Sequence, residues 1–523
     1  MFKTFQIIYL RKINVIILIS LFFLPINGLI GVKGQIIEKN NKLLLNTLYP
    51  SISFSTFLGG NSFDVGYKIV VDNNGSCYIG GNTNSEDFPV LNAYNDTYGG
   101  DFDAFIVKFF ANNTLHWCTF LGGSNSDTAS GVAITDDGNC YITGYTSSNN
   151  FPTLNAYNST YGGGYNDAFV AKFTRSGSLS WSTYLGGNNT DWANSITVAS
   201  DGSCYVTGYT ESSDFPSKNS FDSTLNGTCD AFIAKFEANG SLCWSTFLGG
   251  NGFDEGNGIV VNTEEYCYVI GRTDSNDFPI LNAYDDTQNN FDAFLVKFSA
   301  EGILNWSTFF GGSMADEGSD IVIATDGSCY ITGRTESNDF PVKNAYDNTF
   351  NGHDDIFISK FTYSGYLNWS TYFGGSELDT GTSITLGGDD SCYVTGYTLS
   401  IDFPTLNAYN STFGGGNDDT FVAKFSSTGP LLWSTYLGGK DFDHGTSVAV
   451  AGDGSCYVTG WTASKNFPIK KGYDTNLDGW ADAFITQFIA TSRTNRIYAY
   501  IFLGAFIILI PIIIMTILRK GRK

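Results

Sequence analysis

The sequence predicts an all-β chain: a seven-bladed β-propeller of four-stranded antiparallel blades, its ring closed by the N-terminal strand, with one C-terminal transmembrane helix. Three observations carry that expectation. The string STFLGG or a close variant recurs with its first glycine at Gly59, Gly122, Gly186, Gly249, Gly311, Gly374 and Gly438, a period of 62 to 64 residues. The repeat starts and stops out of phase, with one strand to spare. A long uncharged apolar run stands near the C-terminus.

A unit copied at this period is one supersecondary element that buries its apolar faces by stacking on its neighbours. In the third copy, Ser195–Ala199 alternates toward a Ser-Asp-Gly turn and Cys204–Thr210 returns as the second strand. Asp230–Phe236 makes the third and Leu242–Leu248 the fourth. A long loop carrying DFP and usually NAY joins the second strand to the third. Four antiparallel strands per repeat describe a propeller blade, and seven repeats close a ring. Composition agrees, because 60 Gly, 43 Phe and 30 Tyr with 15% charged residues suit short strands between tight turns.

The phase supplies the closure. Residues 51–58 form a fourth-strand sequence with no blade before it, whereas the last copy stops after its third strand at Phe488. Pairing 51–58 with 482–488 completes a seventh blade and leaves no open sheet edge. Trp117, Trp181, Trp244, Trp306, Trp369 and Trp433, with Phe54 at the seam, then form a ring that packs blade against blade.

Both chain ends differ from the middle. Lys3, Arg11 and Lys12 precede the apolar run Val15–Leu24, so 1–32 reads as a secretory signal or an uncleaved signal anchor, followed by a linker over 33–50. Ile497–Leu518 is 22 residues without a charge, about 33 Å as a helix at ~1.5 Å per residue, enough to span a bilayer. The basic tail 519–523 is expected to stay cytoplasmic. That places the propeller, over 51–488, and a juxtamembrane linker, over 489–496, outside a cell membrane crossed once.

Charge and cysteine usage exclude further classes. With 28 Lys+Arg against 51 Asp+Glu the formal charge is −23, which opposes phosphate backbones and makes nucleic acid an unexpected partner. Seven of ten cysteines (Cys77, Cys140, Cys204, Cys267, Cys329, Cys392, Cys456) share one second-strand position, so successive ones stand farther apart than the ~7 Å a bridge tolerates. They read as small buried hydrophobes, and no structural disulfide is expected. No C-x-x-C pair supports a zinc site.

In every copy the same four elements occur in order: WSTYLGG or a variant, the hairpin ITVASDGSCYVTGYT, then SSDFP and DAFIAKF, as at Trp244, Ser195–Thr210, Ser212–Pro216 and Asp230–Phe236. Over roughly residues 51–488 the chain resembles the bacterial and archaeal β-propeller repeat family SBBP. The resemblance implies a propeller on exported or surface proteins and no defined activity.

Candidate sites follow from the repeat. Asp64, Asp127, Asp191, Asp254, Asp316, Asp379 and Asp443 occupy the loop from fourth to first strand, on the face shared with the long loops. They read either as turn caps accepting backbone N–H groups or as a ring of calcium sites at the channel mouth. Asp103, Asp167, Asp230, Asp292, Asp355, Asp419 and Asp482, at the third-strand starts, carry the same two readings. Positions where the copies differ bear more on ligands. After each ring aspartate stands Val65, Thr128, Trp192, Glu255, Glu317, Thr380 or His444, and seventeen residues later Asn82, Tyr145, Tyr209, Arg272, Arg334, Tyr397 or Trp461. A hairpin register on the Asp-Gly turn brings each pair together. Glu255–Arg272 and Glu317–Arg334 are expected ion pairs, and Tyr145, Trp192, Tyr209, Tyr397 and Trp461 read as stacking platforms for sugar rings or peptide side chains, or as loop packing.

The expected function is binding or adhesion toward an extracellular glycan or protein by a monomeric propeller. The alternatives are a structural component of the cell envelope and a glycan-active hydrolase working through paired carboxylates. The three histidines (His116, His353, His444) sit at three different repeat positions and compose no triad.

Overall fold

The structure, a computed structural model, describes residues 48–492; the expected signal segment, membrane helix and basic tail lie outside the described residues. Every regular element within them is a strand, and the strands assemble into seven four-stranded antiparallel sheets. Among the described residues no helix is long and apolar enough to cross a membrane.

Blade 1 sets the pattern: Asp64–Val71, Cys77–Thr83, Asp103–Phe109 and Leu115–Leu121, hydrogen-bonded in sequence order. Its hairpin turn is fixed by Asp72, whose Oδ1 accepts the N–H groups of Asn74 and Ser76, and by Gly75 at φ 82°, where a side chain would be strained. The middle strands are buried throughout, because a neighbouring blade covers each face. Blades 2 to 7 repeat this from Asp127, Asp191, Asp254, Asp316, Asp379 and Asp443.

Three devices bind each blade to the next. Each first strand carries a β-bulge, as between Gly66 and Lys68, and in blades 3, 4, 6 and 7 the bulged residue bonds the neighbouring blade: Asn194 to Gly256 O (3.1 Å), Asn257 to Gly318 O (2.9 Å), Thr382 to Gly445 O (2.9 Å) and Thr446 to Gly66 O (2.6 Å). Fourth-strand tryptophans reach the same way, Trp181 donating Nε1 to Ala238 O (3.1 Å) and stacking on Phe236 at 6.2 Å. The expected tryptophan ring is thus the inter-blade core. The third device corrects the expectation that the long loops lie wholly on one face. Each loop folds back over the outer edge of its blade, bridging Leu91 to Cys118 or Leu154 to Ser182 mid-strand, and its tyrosine packs on the next blade, Tyr94 on Phe173 and Tyr157 on Phe236. This covers the backbone groups that an open outer strand would expose.

Closure follows the predicted phase. Leu48–Leu58 is the fourth strand of blade 7, beside Asp482–Ser492; Ser55 and Thr486 share a 2.9 Å hydrogen bond across the seam. Thr491 Oγ1 donates to Tyr49 O (3.1 Å), so both ends of the propeller leave side by side on the face of the hairpin turns, opposite the long loops.

Candidate functional site

The strand starts at Asp64 and its six counterparts place the ring aspartates at the loop-bearing end of the innermost strands. All seven are buried. Asp127 shows their bonding: Oδ2 accepts Gly123 N (2.7 Å) and Ser148 Oγ (2.9 Å), the loop amide and the serine that follow from the LGG and SS motifs. Asp64, Asp191, Asp254, Asp316, Asp379 and Asp443 repeat these bonds with Gly60, Gly187, Gly250, Gly312, Gly375 and Gly439. The third-strand aspartates cap as well, Asp103 accepting Gly99 N at 2.8 Å. Each carboxylate therefore ties a turn to the blade beneath it.

The two sets meet in pairs. A Cβ on Gly122 would stand 2.7 Å from both Asp103 Oδ1 and Asp127 Oδ2, and the other LGG glycines are flanked alike, up to Gly59 between Asp482 and Asp64. Only glycine leaves room for two carboxylates at a blade junction. Burial raises them to about 6 for Asp103 and about 7 for Asp127, against the pull of the turn N–H groups, and Asp103 adds to the rise in Asp127. Both Oδ1 atoms of this pair lack a donor. Among the described residues no group of three or more His, Cys, Asp or Glu is placed to hold a metal ion.

The copy-specific positions form a belt around the mouth. Strand register puts Trp192 opposite Tyr209, Glu255 opposite Arg272, Glu317 opposite Arg334, Thr380 opposite Tyr397 and His444 opposite Trp461. Contacts also run between blades. Asn82 donates to Thr128 (3.1 Å), and Tyr145 stacks on Trp192 with centroids 4.0 Å apart, with Tyr209 beyond at 5.8 Å. Arg272 pairs with Glu255 (2.9 Å) and with Glu317 of the next blade (3.4 Å) while lying over Phe253 at 5.1 Å. Arg334 pairs with Glu317 (3.1 Å) and Asp354 (2.8 Å). Tyr397, His444, Trp461 and Trp480 stack in series at 3.8, 5.6 and 6.1 Å, and Asp418 holds His444 Nδ1 at 3.1 Å.

Both predicted ion pairs and all five aromatic candidates are thus in the belt, but most ring faces are spent on one another. Sequence reasoning missed Phe253, Asp354, Asp418 and Trp480. It also missed Tyr165, which with Trp480 occupies the position two residues ahead of the third-strand aspartate. The signal was available there, since the other copies carry Asp101, Thr228, Asn290, His353 and Asn417.

Comparison with known proteins follows this geometry. The SBBP family, described as a beta-propeller repeat, matches residues 54–89, 117–152 and 180–216. Among curated proteins, an uncharacterized WD repeat-containing protein of Acanthamoeba polyphaga mimivirus is 21% identical over 505 residues, covering 78% of this chain and 36% of that protein. The regulatory protein FlaEY of Caulobacter vibrioides is 26% identical over 334 residues, 58% of this chain and 33% of its own length. The chain spans about a third of the length of these relatives. Solved structures with a similar trace include the WD40 beta-propeller domain of Doa1 (TM-score 0.43, 10% identity, 84% of this chain and 97% of that one). A protein of unknown function from Dyadobacter fermentans has a TM-score of 0.40 at 9% identity, covering 84% of this chain and 99% of its own.

Proposed function

We propose that this chain, a propeller of SBBP repeats, is a binding module held at the outer surface of a cell membrane, and that it takes an extracellular glycan or protein ligand on its loop-bearing face. One observation carries the reading. Residues common to all copies are spent on turns and blade packing, whereas the copy-specific aromatic and charged residues gather in one belt on one face. A surface that differs from blade to blade, on a frame that does not, is what selective recognition requires.

The orientation is supported by the exits at Tyr49 and Thr491, on the opposite face. With the apolar run 497–518 as the anchor, the belt is turned away from the membrane. Of the two histidines on this face, His444 is occupied by Asp418, Tyr397 and Trp461, and His353 stands at the repeat position of Tyr165 and Trp480. The test is retention of ligand by the full chain, in detergent, on arrays of glycans and extracellular proteins. Loss of retention in Trp192→Ala and Trp461→Ala, with retention intact in the turn-face variant Asp137→Ala, is expected. Retention lost only in the turn-face variant rejects the belt, and cleavage of the captured glycan makes the chain a hydrolase instead.

A further inference from the structure

We propose that the arc of the loop-bearing face from the junction of blades 7 and 1 to the junction of blades 2 and 3 binds a linear, uncharged polysaccharide. One sugar ring enters the cavity between blades 1 and 2, and flanking rings lie on Trp480 and Tyr165. The inference rests on the binding-module reading and adds the class of ligand.

The cavity, about 440 Å³, is formed by Tyr94, Asn95 and Thr97 of the blade 1 loop, Ser124 of the loop entering blade 2, and Asn150 and Pro152 beyond it. That volume falls within the range of small-ligand sites. No charged side chain lines it. Five other copies place an aspartate where Asn150 stands: Asp87, Asp214, Asp277, Asp339 and Asp402. Asn150 Oδ1 performs their structural task by accepting Ser124 N (2.9 Å) and Ser124 Oγ (3.0 Å). Asn95 Oδ1 likewise accepts Thr97 N (3.0 Å). Both amide NH₂ groups are left to donate to a ligand hydroxyl, beside the hydroxyls of Thr97 and Ser124. Neutral donors and acceptors of this kind fit sugar hydroxyls; the carboxylates nearest the cavity are the buried pair Asp103 and Asp127 behind Gly122 of its wall, and Asp96, which accepts from Thr97 Oγ1 (3.3 Å).

The two flanks supply the apolar part of the match. Tyr165 is 85% exposed and Trp480 63% exposed, so each offers ring area to solvent on this face. They hold the same repeat position at the junctions on either side of the cavity. Trp480 is preorganised: its backbone N–H donates to Ser62 O (3.0 Å), and its ring lies against Phe63 at 5.4 Å and Trp461 at 6.1 Å, so its exposed area is on the side away from these rings. The C–H face of a pyranose is apolar and flat enough to cover such a ring. Aromatic, polar cavity, aromatic, in that order along one arc, is the pattern expected for successive rings of one polymer.

The sequence Asn95-Asp96-Thr97 is also a glycosylation acceptor, so the same sugar chemistry has two sources: a free polymer or a glycan attached to Asn95. The experiment separates them. The full chain, made in a host without N-glycosylation and purified in detergent, is titrated by tryptophan fluorescence. The probes are oligomers of β-1,4-glucose, β-1,4-N-acetylglucosamine, β-1,3-glucose, α-1,4-glucose and α-1,6-mannose of two to six units, with oligogalacturonate as the charged control. One neutral series is expected to bind with a Kd at least about tenfold lower for the hexamer than for the dimer. Trp480→Ala or Tyr165→Ala should raise the hexamer Kd about tenfold, and Tyr165→Ala, whose side chain is 85% exposed, should leave the melting temperature unchanged; Asn150→Asp should weaken every length. Equal or tighter binding of oligogalacturonate overturns the assignment, as does hexamer affinity unaltered in both aromatic variants. Absence of any neutral response overturns it too, while ligand retained on the arrays by the same preparation keeps the binding-module reading. Chain from an N-glycosylating host that carries sugar at Asn95 and excludes the free oligomer gives the cavity to that glycan and overturns the polymer.

Discussion

Lys68 Nζ and Asp320 Oδ2 meet at 3.0 Å across the axis of the ring, from the first strands of blades 1 and 5, which are not neighbours. Both stand directly after the bulge, where the other copies carry Gly131, Ser195, Gly258, Ser383 and Ser447. Asp320 Oδ2 also accepts Ser383 Oγ (2.7 Å) and Ile384 N (3.1 Å), and Oδ1 accepts Ile321 N (3.0 Å). The lysine that balances this carboxylate reaches across the channel to it. The channel inside the belt is thus spanned by an ion pair between two blades that are not neighbours.

Replacing Lys68 by Met leaves Asp320 buried without its cation, so the expected cost is about 1–3 kcal/mol of stability. Asp320→Asn keeps an acceptor for Ile384 N and Ser383 and should cost less. Denaturant unfolding of both variants checks the order. A Lys68→Met chain as stable as the parent would show that water replaces the ammonium without loss.

The carboxylate pairs make stability depend on pH with a definite sign. Asp103, Asp127, Asp167 and Asp482 are raised by burial to about 6 to 7 in the folded chain, against about 3.9 when unfolded. Their contribution is complete below the unfolded value and disappears as pH rises through 6 to 7. Hairpin-turn aspartates act oppositely: the hydroxyls of Thr135 and Ser328 hold Asp137 and Asp326 low, a gain lost only in stronger acid. The melting temperature should rise by several degrees from pH 8 to pH 5, and Asp127→Asn should reduce the rise. A flat profile over that interval would remove the shared-junction account.

Gly122→Ala tests the same junction sterically. Its Cβ would fall 2.7 Å from Asp103 Oδ1 and from Asp127 Oδ2; each carboxylate is held by a turn amide through its Oδ2, so neither can withdraw without straining a cap. About 1–3 kcal/mol is expected to be lost, read as a lower midpoint in urea. Asp103→Asn in the same chain does not relieve the clash, because the volume remains.

The strand order, the seam, the Asp-Gly hairpins and the Glu–Arg pairs were legible in the sequence because each depends on the strand register that the repeat defines. Lys68–Asp320 was not legible. It depends on two copies 252 residues apart facing one another across an axis, and no local pattern marks that. The folded-back loops were missed for a related reason: an NAY tyrosine reaches a phenylalanine in the next copy, a relationship that the period hides by making every copy look alike. The pairing of Asp103 with Asp127 could have been inferred from the glycine between them. A cap that starts the third strand of one blade and another that starts the first strand of the next, both repeated in every copy, with a glycine always at the turn leading to the second, imply close approach.

The seam supports the strongest prediction. Leu48–Leu58 supplies the outer strand of blade 7 and buries Ile52, Phe54, Phe57 and Leu58; Phe57 packs on Phe467 in its own blade at 6.2 Å and Phe54 on Phe109 of blade 1 at 6.5 Å. Removing 48–58 therefore strips one strand and one inter-blade contact together. It also bares the edge of Asp482–Ser492, whose ladder groups then have no partner. The expected result is loss of the cooperative melt and self-association by gel filtration, whereas Phe54→Ala alone should cost about 3–5 kcal/mol and leave the chain monomeric. The open edge is a strand-shaped site, so a synthetic peptide of residues 48–58 added in excess should restore both the melt and the monomer by strand addition. If the truncated chain melts like the parent without the peptide, the ring is held by blade packing alone and the seam strand is dispensable.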